Sequence, residues 1–82
     1  MGENDKMNNK RREELRRALS LLENAQSIIE NITDQEEDAL DNMPENLMDS
    51  ERYEKIERAA DNLNEAQDKL TDVIEYVEDA ME

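Results

Sequence analysis

The chain has no cysteine, histidine, tryptophan or phenylalanine, and only one glycine, Gly2, and one proline, Pro44. Without cysteine there is no disulfide and no thiol nucleophile. Without histidine as well, there is no imidazole base and no nitrogen or sulfur ligand of the kind that zinc and iron–sulfur sites need. Most enzyme classes are thereby excluded, no cofactor is expected, and the chain is read as non-enzymatic. No apolar run exceeds two residues, as in Leu21-Leu22, so neither a membrane span nor a signal peptide is expected. A cytoplasmic protein follows from that reading. Basic residues are also scarce, with 24 acidic against 10 basic side chains and a net charge of −14 in 82 residues. A charge of that size with so few large apolar residues would suit a disordered chain. Only a regular apolar pattern can override it.

Such a pattern is present. In the first half Leu15, Ala18, Leu22, Ala25, Ile29 and Ile32 recur at spacings of three and four, and the rhythm continues to Glu36, Ala39 and Met43. In the second, Tyr53, Ile56, Ala60, Leu63, Gln67, Leu70, Ile74, Val77 and Met81 keep it without a skipped step. These are heptad seams. With Pro44 between them, they predict an all-α antiparallel two-helix hairpin, a coiled coil, with a helix over about residues 10–41, a loop over 42–49 and a helix over 50–81. Residues 1–9 read as a frayed polar tail. Asp34 and Glu37 could form a capping box that breaks the first helix near Thr33, but a continuous helix is the expectation. Asp49 or Ser50 can cap the second helix, and with Asp49 as the cap, Met48 and Tyr53 would form a hydrophobic staple.

Folding the second helix back places Leu15 opposite Val77, Leu22 opposite Leu70 and Ile29 opposite Leu63, each pair of numbers summing to 92. Gln67 then opposes Ala25, with Gln26 beside it as a partner for its amide. Lys10, Arg11 and Arg12 start one helix, and Glu75, Glu78, Asp79 and Glu82 end the other. Each cluster sits at the unfavourable pole of its own helix, and side by side they are expected to neutralise one another.

A narrow two-helix seam leaves little stability after conformational entropy. With Leu15 and Ala60 called position a, Leu21 and Ile28 of the first helix and Ala59, Ala66, Val73 and Ala80 of the second occupy position g, on one side of the hairpin. This strip is expected to mediate self-association, as a homodimer forming a four-helix bundle.

The outer b column of the second helix is Glu54, Asp61, Asp68, Glu75 and Glu82, and no basic residue lies between Arg17 and Arg52. At the closed end Glu30, Asp34, Glu37, Asp38, Asp41, Glu45, Glu51 and Glu54 form the candidate surface for a basic partner, expected to be a nucleic-acid-binding protein. Direct binding of nucleic acid is disfavoured by the same charge. The alternative is a face that only solvates a structural oligomerisation or adaptor module. No metal site is expected, because Asp34 to Asp41 lack the central Gly and alternating ligands of an EF-hand loop.

The segment Ala39-Leu40-Asp41-Asn42-Met43-Pro44-Glu45-Asn46-Leu47, followed by Ser50-Glu51-Arg52-Tyr53-Glu54-Lys55, resembles a motif in small acidic helical proteins often encoded by bacteriophages and prophages of Gram-positive bacteria. The resemblance implies a phage-type helical hairpin and supplies no catalytic or binding residue. Small acidic phage proteins include inhibitors that occupy nucleic-acid-binding surfaces of host defence or transcription proteins, among them some anti-CRISPR proteins. It therefore points to an acidic inhibitor or nucleic-acid mimic of that kind.

Overall fold

Asn8 caps the first helix by accepting a hydrogen bond from the backbone N–H of Arg11 at 2.8 Å, which satisfies one of the free donors at a helix start. The computed structural model describes residues 7–82. Among these, α1 runs over Asn9–Asp41 and α2 over Glu51–Ala80, joined by a single 3₁₀ turn at Glu45–Leu47. The chain is an all-α antiparallel hairpin, and no described residue belongs to a strand. The frayed-tail expectation lies outside the description for residues 1–6. Asn8 and Asn9, also assigned to that tail, are the cap and first residue of α1.

α1 does not break at Thr33. The Thr33 hydroxyl turns back to donate to the Ile29 carbonyl at 2.7 Å, within the helix. Ser50, not Asp49, caps α2, accepting from the Tyr53 N–H at 3.1 Å while its hydroxyl donates to the Leu47 carbonyl. The expected Met48–Tyr53 staple is therefore out of phase by one residue, and Met48 is exposed.

The seam of α2 is as the periodicity predicts: Tyr53, Ile56, Leu63, Gln67, Leu70, Ile74, Val77 and Met81 are half-buried and Ala60 is buried. The seam of α1 is rotated. Its inward residues are Arg12, Leu15, Leu19, Leu22, Gln26, Ile29, Thr33, Glu36, Leu40 and Met43, again in strict heptad spacing. Ile32 and Ala39, expected inside, are exposed, and Thr33 and Leu40 take their places. Ala18 and Ala25 remain half-buried at its margin.

A cross-helix hydrogen bond accompanies the rotation. The difference in apolar volume between the two arrangements is small, about one CH2 group or roughly 0.8 kcal/mol. Gln67, fixed inward by α2, needs a partner, and an unsatisfied amide there costs about 1–3 kcal/mol. Turning Thr33 inward supplies one, since the Gln67 Nε2 donates to the Thr33 Oγ1 at 2.9 Å. Gln26, expected as the partner of that amide, instead donates from Nε2 to the Thr71 Oγ1 at 2.8 Å and to the Gln67 backbone carbonyl at 3.3 Å. No buried side-chain nitrogen or oxygen among the described residues lacks a partner.

The register also differs from expectation. Cross-helix bonds join Gln26 to Gln67, Gln26 to Thr71, Thr33 to Gln67 and Arg12 to Met81. Those numbers sum to between 93 and 100, centring near 96, not 92. α2 is displaced by about four residues, or roughly 6 Å at 1.5 Å per residue. The layers that satisfy both seams bring Leu15 level with Met81, Leu19 with Val77, Leu22 with Ile74, and Met43 with Tyr53.

Candidate functional site

With both seams located, the outward columns of each helix fall on two sides of the hairpin, because in an antiparallel pair equivalent flanking columns share a side. On one side α1 presents Glu13, Glu23, Glu30, Asp34, Glu37 and Asp41, and α2 presents Glu54, Glu57, Asp61, Asp68, Glu75 and Glu78, all exposed. Within α1 and α2 Arg16 is the one base among them and the remaining positions of these columns hold Asn, Ser or Thr, while Glu82, just past the end of α2, adds one more carboxylate. No apolar side chain interrupts this side.

Its charge density has a useful comparison. Within the two helices, twelve carboxylates and one guanidinium from the level of Glu13 to that of Glu54 spread a net −11 over roughly 44 Å. That is about one charge per 4 Å, close to the one per ~3.4 Å of a single nucleic-acid strand and sparser than a duplex. Neighbouring carboxylates three or four residues apart stand roughly 5–6 Å from one another.

None of these twelve carboxylates has a basic partner within 4.0 Å among the described residues. The ion pairs found there are Glu51–Lys55 at 3.6 Å and Glu65–Lys69 at 3.9 Å, both exposed and both placed off the acidic side. Pairs of that kind contribute about 0.3–0.5 kcal/mol.

Of the acidic residues singled out from the sequence, Glu30, Asp34, Glu37, Asp41 and Glu54 stand on this side. Asp38 and Glu51 lie on the outer ridges and Glu45 lies in the 3₁₀ turn. An open depression at the closed end is lined by Asp34, Glu37, Asp38, Leu40 and Asp41. No group of three or more metal-ligating side chains there or elsewhere in residues 7–82 is arranged to hold a metal ion. The stretch without bases between Arg17 and Arg52 marks only the closed end in the sequence. The acidic side instead continues to Glu13 and Glu78 at the open end, which becomes visible when the columns of both helices are read together.

The opposite side is different in kind. Leu21 (69% exposed), Ile28 (60%), Ile32 (43%), Val73 (42%) and Tyr76 (75%) all belong to it. Ala59 and Ala66 lie half-buried between them and Ala80 is exposed at the end. Its charged residues are Arg11, Arg52, Lys55 and Lys69 against Glu14. Leu21, Ile28 and Val73 were expected on this strip, whereas Ile32 was expected in the seam and Tyr76 was not anticipated. Every large apolar helix residue left exposed among the described residues is on this side, the other two, Leu47 and Met48, being in the connection.

The open end corrects one expectation. No ion pair within 4.0 Å joins Lys10, Arg11 or Arg12 to Glu75, Glu78, Asp79 or Glu82. Arg12 Nε instead donates to the Met81 carbonyl at 2.8 Å, placing a cation on the negative pole of α2.

No helix among the described residues is long and apolar enough to cross a membrane. No family model, curated protein or solved structure matches the chain.

Proposed function

We propose that the protein acts by binding, and that its acidic side covers the basic surface of a nucleic-acid-binding protein, as an acidic inhibitor or nucleic-acid mimic of the anti-defence type. The observation that carries this reading is the segregation of charge. Twelve exposed carboxylates share one side with a single base and no apolar residue, at a spacing near that of one strand's phosphates. A face meant only for solubility needs no such sorting, since interspersed charges of both signs serve equally well. Such a surface would steer itself to a basic groove and compete there with phosphates.

Affinity capture from a bacterial lysate at low salt, with duplex DNA or RNA added to half the sample, tests the reading. A basic protein recovered on the hairpin and displaced by nucleic acid is expected. The combined Glu30→Lys, Glu37→Lys and Asp61→Lys variant should recover none of it while keeping its helicity. Capture that ignores both nucleic acid and charge reversal would remove the proposal.

A second reading, a structural oligomerisation or adaptor module with a solvating acidic side, draws on the five exposed apolar residues of the other side. Under it, replacement of the carboxylates by glutamine is silent and Val73→Glu abolishes function.

A further inference from the structure

We infer that the apolar side is covered by a second copy of the same chain, docked antiparallel so that the two connections lie at opposite ends of a four-helix bundle and the two acidic sides face outward. This does not depend on the proposed function.

The need for a cover comes from the hairpin itself. Thr33 and Ala60 are its only buried residues among those described, at 2% and 3% exposure. Leu21, Ile28, Ile32, Val73 and Tyr76 meanwhile remain on one side, a pattern that marks an interface in a small protein. With α2 about 45 Å long and the hairpin 16 Å across, that side offers about 700 Å². One partner's share of a standard interface is roughly 800 Å².

Self-complementarity identifies the occupant. A two-fold axis through the side sets its apolar strip against itself. It also brings bases within reach of acids, because the outer ridges flanking the apolar side carry Asp38, Glu51, Glu65, Asp72 and Asp79 as well as Lys10, Arg17 and Arg58. A second copy therefore provides both the apolar contact and the counter-charges. The acidic side cannot serve as the docking surface, having no apolar residue to contribute.

Charge also sets the direction. The connection and its adjoining turns gather eight carboxylates, Glu36, Glu37, Asp38, Asp41, Glu45, Asp49, Glu51 and Glu54. Two such ends side by side repel. In the reversed arrangement each lies beside the other copy's open end, where Lys10, Arg11, Arg12, Arg16 and Arg17 nearly balance Glu13, Glu14, Glu75, Glu78, Asp79 and Glu82 and Lys10, Arg11 and Arg17 have no ion pair within 4.0 Å among the described residues. Arg52 and Arg58, equally unpaired there, then approach Asp72 and Asp79 of the second copy.

Sedimentation equilibrium of the full chain is expected to give twice the 9.6 kDa mass, with Leu21→Glu and Ile28→Glu shifting it to a monomer and Glu23→Gln leaving it a dimer. A monomeric wild-type chain, an assembly larger than two, or a dimer indifferent to Ile28→Glu would overturn the inference. Should the glutamate variants lose helicity, a spin label on an Asn46→Cys chain decides the matter. Antiparallel docking places the two labels roughly 45 Å apart or more, one helix length, whereas a separation under about 25 Å, or no dipolar coupling at all at dimer-forming concentration, is incompatible with it.

Discussion

The side-chain amide of Gln67 donates to the hydroxyl of Thr33 at 2.9 Å across the helix interface, and that hydroxyl donates in turn to the Ile29 carbonyl at 2.7 Å. Thr33 is thus acceptor and donor at once. The pair holds the rotation of α1 that sorts the outer residues into an acidic side and an apolar side.

Thr33→Val retains the shape at this position and removes the acceptor, leaving the Gln67 amide unsatisfied. A loss of about 1–3 kcal/mol is expected in urea unfolding. Thr33→Val combined with Gln67→Leu should recover most of it, because both polar partners are then gone. A double variant as unstable as the single one would mean that the bond is not what costs stability.

Ser50 bridges the 3₁₀ turn and α2 through its hydroxyl. Ser50→Ala should destabilise by about 1 kcal/mol, while Asp49→Ala, one residue outside the cap, should leave the thermal midpoint nearly unchanged. The reverse order of effects would place the cap at Asp49.

Twelve carboxylates without a basic partner within 4.0 Å among the described residues repel one another through solvent. Raising sodium chloride from about 0.05 to about 0.5 M shortens the screening length from roughly 14 to roughly 4 Å, so the thermal midpoint should rise with salt. Substituting glutamine at Glu30, Glu37 and Asp61 should flatten that dependence. A midpoint that falls with salt would show that attractive pairs dominate.

Arg12 anchors the open end through the Met81 carbonyl. Arg12→Gln should loosen the last turn of α2, read as faster amide exchange confined to residues near Met81, with a global cost of about 1 kcal/mol. Uniformly faster exchange along α2 would assign the residue a wider role.

The heptad rhythm of Tyr53 through Met81 was sufficient to predict α2 and its inward face, because every step of three or four except the one to Gln67 meets a residue that gains by leaving water. In α1 the rhythm was ambiguous. Leu15, Leu22, Ile29, Glu36 and Met43 are common to two possible seams, and the intervening column can be Ala18, Ala25, Ile32 and Ala39 or Leu19, Gln26, Thr33 and Leu40. The first column has more apolar residues, whereas the structure adopts the second, in which the Thr33 hydroxyl is the partner of the Gln67 amide. The register moved with the rotated seam, by about one turn.

Helix content, the hairpin and the excess of carboxylates were therefore determined by the sequence alone, through spacing, Pro44 and composition, all of which act locally along the chain. Which residues face outward together was decided only in three dimensions. A rotation of α1 by one column moved Ile32 from the seam to the surface and Leu40 the other way. The sorting into two unlike sides depends on the relative orientation of two helices, set by cross-helix hydrogen bonds between residues some 34 to 45 positions apart.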